Sequence, residues 1–253
     1  MMHMPLSEQQ KERYSRQLKM PEIGPAGQEK LLSSRVLIIG AGGLGSAAAF
    51  YLAAAGVGTL GLADGDRVEL SNLQRQILHG TDTLGAGKTE SAEARLHVLN
   101  PDVRIETHPV SAGEDNIETL LAPYDFIVDC TDSLDTKLMI SDACVRMKKA
   151  FCHGAAAHFF GQLITYVPGK GPCCRCFFRD LPDPDQAPKA GKLGVLGAVP
   201  GVIGCLQALE AVKYLTGAGD LLTGRLLRFD ALSMEFVTIE LLPDPDCPVC
   251  GGH

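Results

Sequence analysis

The feature that most constrains this chain is a glycine loop set between two elements of different character. Residues 35–39 (Arg-Val-Leu-Ile-Ile) form a short β-branched apolar run, and residues 43–55 are small, apolar and long enough for a helix. Gly40-Ala41-Gly42-Gly43-Leu44-Gly45 joins them and fits G-x-G-x-x-G at 40, 42 and 45. A buried strand that turns through glycines directly into a helix opens a parallel βαβ unit. With no Cβ in the way, backbone amides can approach a phosphate closely, and the helix N-terminus favours negative charge. A second apolar run over 58–63 stops at Asp64-Gly65-Asp66. Asp64 therefore stands about 20 residues past the loop, where an acid meets ribose hydroxyls. A tight packing turn would explain the glycines alone. Their place between strand and helix favours a nucleotide, and NAD is the default rival.

The remaining elements keep the same alternation. Residues 7–16 read as a polar helix, with Ser7 and Gln10 at capping-box spacing. The spacing predicts helices at 86–99, 117–121 and 134–149, and strands at 103–107 and 126–129. Residues 71–79 read as a loop or short helix. Strand and helix in turn imply a doubly wound, mainly parallel Rossmann-like α/β sheet. The pattern then changes to a strand at 162–167, a helix at 199–215 and strands at 225–229 and 234–241. That stretch predicts a mixed or antiparallel C-terminal portion. The proline- and charge-rich stretch at 181–192 reads as a mobile loop. We find no internal repeat, so a single domain spanning 1–253 is expected, with an N-terminal helical segment at 1–30.

Composition removes several function classes. With 23 basic and 30 acidic residues the formal net charge is −7, and no basic stripe is visible, so nucleic acid is not an expected partner. The chain has no tryptophan on which bases would stack. No segment reaches about 18 uncharged apolar residues, the length a spanning helix needs. The N-terminus has no signal-like apolar stretch, so no membrane and a cytoplasmic location are expected.

Two features carry chemistry. The run from Asp64 to Gln76 gathers hydroxyl, amide and guanidinium groups at a strand's C-terminal end, where open α/β sheets bind ligands. Arg75 and the following Lys88 would neutralise a polyphosphate. Asp132 in Asp129-Cys130-Thr131-Asp132-Ser133 would hold Mg²⁺, a hard ion that takes carboxylate, water and phosphate oxygens. Each has a plainer alternative: a solvated lysine at a helix start, an N-cap aspartate, a surface ion pair for Arg75. Among nine cysteines, Cys173/Cys176 and Cys247/Cys250 form two C-x-x-C pairs. Four thiolates suit a tetrahedral structural Zn²⁺ with no open position for water. Cys174 is an extra cysteine inside the first pair. Cys130, Cys144, Cys152 and Cys205 lie in apolar elements and read as packing residues. His153 and His158 read as core or surface residues.

Taken together, Arg13-Tyr14-Ser15-Arg16-Gln17, the glycine loop, Ser71-Asn72-Leu73-Gln74-Arg75-Gln76, Lys88, Asp129–Asp132, the paired cysteines and the stretch 201–210 resemble one family. It is the ubiquitin-activating-like (E1-like) adenylyltransferases of MoeB/ThiF/HesA type, which activate molybdopterin and thiamine sulfur carriers. The resemblance implies ATP-dependent adenylation of the C-terminal Gly-Gly carboxylate of a small ubiquitin-fold sulfur-carrier protein, with release of pyrophosphate. It implies that Arg16, Asn72, Arg75, Lys88 and Asp132 act in catalysis. It places ATP and Mg²⁺ on Gly40, Gly42, Gly43, Gly45, Asp64, Ser71, Asn72, Gln74, Arg75, Lys88, Asp132 and Ser133. It further implies a homodimer in which Arg16 reaches the neighbour's ATP. The halves would be 31–160 for nucleotide and 161–253 for carrier and zinc.

The chain departs from part of the family at one point. Several relatives carry a cysteine in the mobile loop, where Ala190 stands here. A thioester or acyl-disulfide step on that loop is therefore not expected, whereas adenylation needs no thiol. An NAD-linked oxidoreductase and a non-catalytic E1-like scaffold are the two rival readings.

Overall fold

A computed structural model describes residues 6–178 and 194–251. The loop expected at 180–193, with Ala190, lies outside the described residues. Among the described residues, eight strands form one sheet: β1 (Arg35–Ile39), β2 (Thr59–Ala63), β3 (Arg104–His108), β4 (Phe126–Asp129), β5 (Ala150–Ala157), β6 (Phe160–Tyr166), β7 (Arg225–Asp230) and β8 (Glu235–Glu240). Their order is β3-β2-β1-β4-β5-β6-β7-β8. The first five pair in parallel, and β6, β7 and β8 add on antiparallel. The mixed C-terminal portion is thus an extension of the same sheet.

The helices are α1 (Glu8–Arg13), α2 (Ser15–Leu18), α3 (Gly24–Ser33), α4 (Gly43–Ala55), α5 (Lys88–Leu99), α6 (Ile117–Leu121), α7 (Leu134–Arg146), α8 (Cys174–Phe177) and α9 (Ala198–Thr216). Side chains alternate across each central strand. Val36, Ile38, Phe126 and Val128 pack on one face against α4, α5 and α9, through Leu52, Leu96 and Ile203. Leu37, Ile39, Ile127 and Phe151 pack on the other, against Leu120, Leu138 and Ile140 of α6 and α7. Both faces are covered, so the strands read as continuous apolar runs. The helices change face between β1 and β4. That is the switch point of a doubly wound sheet, with its crevice at the carboxyl ends of the strands.

The local detail departs from expectation in places. Ser7 and Gln10 do form a reciprocal capping box. The helix expected over 7–16 is instead two pieces broken at Tyr14, whose buried ring sends its hydroxyl to accept from Asn100 Nδ2 at 2.9 Å. Strand β5 was not expected, whereas helix α3 lies mostly within the helical segment expected at 1–30 and runs on to Ser33. The sequence of β5, Ala-Phe-Cys-His-Gly-Ala-Ala-Ala, has no alternation of its own and owes its form to pairing on both edges. Helix α9 is long and apolar enough, by length and composition, to cross a membrane. It carries Glu210 and Lys213, however, and packs along α4 and β5. Glu210 is buried but satisfied, accepting from Thr165 Oγ1 at 2.6 Å and Leu222 N at 2.8 Å. Cys130, Cys144 and Cys152 are buried as expected, whereas Cys205 is only half-buried.

Candidate active site and metal centre

A cavity of about 620 Å³ opens at the switch point, within the range of small-molecule sites. The glycine loop forms one wall. Gly40 has φ +97°, and a Cβ there would lie 2.8 Å from the Cys130 carbonyl oxygen, so both conformation and space demand glycine. A Cβ on Gly45 would overlap the Gly40 carbonyl oxygen. Gly45 therefore lets α4 close onto its own loop and is not among the residues lining the cavity. Gly40, Gly42 and Gly43 do line it.

The loop is tied down from behind. Asp64 Oδ2 accepts from the Ala41 amide at 2.8 Å, and Oδ1 accepts from the Asp66 amide at 2.9 Å. His79 bridges the Ala41 carbonyl (Nε2, 2.9 Å) and Ser91 Oγ (Nδ1, 3.0 Å). Burial lowers the pKa of His79, and the Lys88 charge adds to that, which favours its neutral ring.

Two cations line the same cavity. Lys88 opens α5 and is buried, with Nζ 2.8 Å from Asp66 Oδ2 and 3.7 Å from Asp64 Oδ2. It is therefore no solvated surface lysine. Arg75 lines the cavity with Gln74 and Gln76, and its Nη1 donates to the Ser71 carbonyl at 3.1 Å. Ser71 and Asn72 are not among the lining residues. Asn72 is buried, and its Oδ1 accepts from the Glu69 amide at 3.1 Å, so it shapes the turn that presents Arg75. Asp132 lines the cavity at the end of β4 and makes no hydrogen bond or ion pair among the described residues. It is not an N-cap, because Ser133 holds that position of α7, and Ser133 does not line the cavity. A carboxylate facing a cavity that also holds Arg75 and Lys88 has the donor chemistry of a hard divalent cation's ligand.

The Asp132 loop hangs from a buried network absent from the sequence reading. Asp129 is fully buried and accepts from Lys137 Nζ (3.3 Å to each oxygen), His153 Nδ1 (3.1 Å) and Thr131 Oγ1 (2.7 Å). Burial pushes its carboxyl up, but the Lys137 charge and these hydrogen bonds outweigh that and hold it below the usual carboxylate range. Gln207 of α9 donates from Nε2 to the carbonyls of Asp129 (2.7 Å) and Cys152 (3.2 Å). Lys137 and Gln207 give no signal in sequence, since an ordinary helix carries both residue types on its surface. Arg16 lies exposed on α2 and is not among the residues lining this chain's cavity.

The cysteine pairs converge elsewhere. The Sγ atoms of Cys173, Cys176, Cys247 and Cys250 all lie within 4.8 Å of one another. Three of the separations are 4.0 Å (Cys173–Cys176), 3.6 Å (Cys173–Cys247) and 3.4 Å (Cys176–Cys250). A tetrahedron with metal–sulfur bonds of about 2.3 Å has edges of about 3.8 Å, so the residues fit a metal. The Asp244 amide donates to Cys176 Sγ at 3.4 Å, as an amide does toward thiolate sulfur. Without a cation, burial pushes the Cys173 thiol up, and the neighbouring thiols add to the shift. Cys174 is buried and is not one of the four converging thiols.

The chain matches the ThiF family over residues 14–249. This chain belongs to the ThiF family. Among relatives of this ThiF-family chain, the SAMP-activating enzyme E1 of Haloferax volcanii is 47% identical over 250 residues, covering 99% of this chain and 92% of that protein. The sulfur carrier protein adenylyltransferase of Thermus thermophilus is 42% identical over 247 residues, covering 96% and 91%. The adenylyltransferase and sulfurtransferase MOCS3 of Drosophila sechellia is 48% identical over 242 residues, but the ThiF-family chain spans only 53% of its length. Among solved structures, E. coli MccB with MccA-N7isoASN superposes with a TM-score of 0.84, covering 97% of this chain and 75% of that one. At 24% identity that likeness speaks to the fold alone.

Proposed function

We infer that this chain is an ATP-dependent adenylyltransferase that activates the C-terminal Gly-Gly carboxylate of a small ubiquitin-fold sulfur carrier. One observation carries the reading. Arg75, Lys88 and Asp132 line one cavity together with the glycine loop. The names of the Haloferax and Thermus relatives support it. In the reaction, a carboxylate oxygen of the carrier's last glycine attacks the α-phosphorus of ATP. The α-phosphorus–oxygen bond to the β-phosphate breaks, leaving an acyl-adenylate and pyrophosphate.

This chain's residues would supply positioning and charge. The Gly42 and Gly43 segment, at the N-terminus of α4, would receive the phosphates, and Asp64 the ribose. Arg75 and Lys88 would offset charge on the leaving pyrophosphate, while Asn72 and Ser71 hold Arg75 in place. Asp132 would hold Mg²⁺, which supplies further neutralisation of the phosphate oxygens. The four cysteines would hold a structural Zn²⁺ that ties residues 247–250 to α8. Arg16, exposed and away from its own cavity, would complete the site of a second copy in a homodimer. The chain would work as one domain, with residues 31–160 binding nucleotide and 161–253 holding carrier and zinc.

A chain whose cysteines include a four-thiol cluster of metal-site geometry suits a reducing cytoplasm. Molybdenum-cofactor or a related sulfur-transfer biosynthesis is the setting we propose. A nicotinamide reading leaves Arg75, Lys88 and Asp132 without a task, and a non-catalytic scaffold would not need them. The test is pyrophosphate release with a Gly-Gly carrier present. Asp132→Ala should abolish it while the fold, followed by circular dichroism, is kept. Full release from that variant would refute the assignment.

A further inference from the structure

Asp66 stands in the cavity without a part in the chemistry above. The partnership of Lys88 is lopsided. Its side chain is 7% exposed, whereas that of Asp66, 2.8 Å away, is 71% exposed. The nearer-buried carboxylate, Asp64, lies at 3.7 Å and is committed to the amides of Ala41 and Asp66. The backbone joins the two partners, since the Lys88 amide donates to the Asp66 carbonyl at 3.0 Å and Arg67 bridges to Gly87. A buried ammonium needs a counter-charge held close to it. The structure supplies one from a side chain able to turn into water. A phosphate that takes Lys88 would leave Asp66 beside it as a like charge.

We propose that Asp66 is a latch on Lys88. It is a positioning residue that holds the ammonium between turnovers, yields it to the polyphosphate of the arriving nucleotide, and takes it back as pyrophosphate leaves. The inference rests on the nucleotide reading above and deepens it. Lys88 exchanges one anionic partner for another and is never buried unpaired. The design gives up tightness of polyphosphate binding in return for release.

The test is calorimetric binding of inorganic pyrophosphate, ATP and AMP to the full zinc-loaded chain, with and without Mg²⁺. Wild type is compared with Asp66→Asn and Asp66→Ser. The side chain is exposed, so neither change opens a core cavity, and two variants guard against one that folds poorly. Both variants should bind pyrophosphate and ATP about tenfold more tightly, the effect of removing one nearby like charge. AMP, which lacks the outer phosphates, should change less than about twofold. In turnover, KM for ATP should fall while kcat does not rise. Unchanged or weaker pyrophosphate binding in both variants would overturn the latch. So would a loss of ATP affinity seen only with Mg²⁺, which would make Asp66 a cation ligand. A wild-type chain that binds pyrophosphate but neither nucleotide would sink the nucleotide reading and still measure the latch. No pyrophosphate binding by any of the three proteins would refute the latch itself.

Discussion

Replacing Lys137 by methionine should destabilise the fold by about 3–5 kcal/mol, the cost of stranding one member of a buried ion pair. The geometry sets this scale. The ammonium lies 3.3 Å from both Asp129 oxygens, with side-chain exposures of 5% for Lys137 and 0% for Asp129. At an effective dielectric of about 20, that separation corresponds to roughly 5 kcal/mol of attraction. Methionine keeps most of the packing volume but leaves the Asp129 carboxylate to His153 and Thr131, and it removes the donor to the Gly154 carbonyl, 2.6 Å away. For a chain of this size the melting temperature should fall by about 6–20 °C. Thermal unfolding of the zinc-loaded protein, followed by calorimetry, reads this directly. The double variant Asp129→Asn/Lys137→Met should recover at least about half of the loss, because no charge is left buried alone. A fall below about 3 °C in the single variant would mean that the pair is not buried as described, and the account of how the Asp132 loop is held would fail.

Three further outcomes are expected. The purified chain should carry one zinc, and Cys250→Ser should release it to a colorimetric chelator and lower the melting temperature by about 10 °C or more; full metal content in that variant would remove Cys250 from the site. Burial depresses the His79 pKa, so below about pH 6.5 the unfolded chain takes up a proton that the folded chain resists. Stability is therefore fully present above that pH and is lost as pH falls below it. Urea unfolding should show a shallower loss in His79→Gln, and an identical slope would count against the buried neutral ring. Mixing inactive Arg16→Ala and Asp132→Ala proteins should restore about a quarter of wild-type activity per subunit, since half the dimers would be mixed and each would hold one complete site. No recovery after subunit exchange would remove Arg16 from the neighbour's site.

The sequence was most informative where local pattern and tertiary role coincide. The run from β1 through the glycine loop to α4 could be read almost to the residue, because apolar strand, turn and small-residue helix each leave their own signature. The thiolate tetrad was equally plain, since metal geometry imposes C-x-x-C spacing. Strand β5 was invisible because alanine and glycine carry no strand signal, and only its neighbours β4 and β6 make it a strand. Helix α3 falls mostly inside the helical segment expected at 1–30, and Pro25 sits in its first turn, where proline is tolerated. The site showed the same division. Gly40, Gly42, Gly43, Asp64, Gln74, Arg75, Lys88 and Asp132 do line one cavity. Gly45, Ser71, Asn72 and Ser133 are not among its lining residues, a distinction that motif position cannot make. Asp66, Lys137 and Gln207 matter only through partners far along the chain or on another element, so no spacing rule points to them.

The most direct test of the central claim is ATP–pyrophosphate exchange by the purified chain against a panel of ubiquitin-fold carriers ending in Gly-Gly. The account predicts exchange that depends on a carrier, needs Mg²⁺, and disappears when the carrier's last glycine is deleted or Asp132 is changed to alanine. Exchange that runs equally well without any carrier, or that survives loss of the terminal glycine, would contradict it.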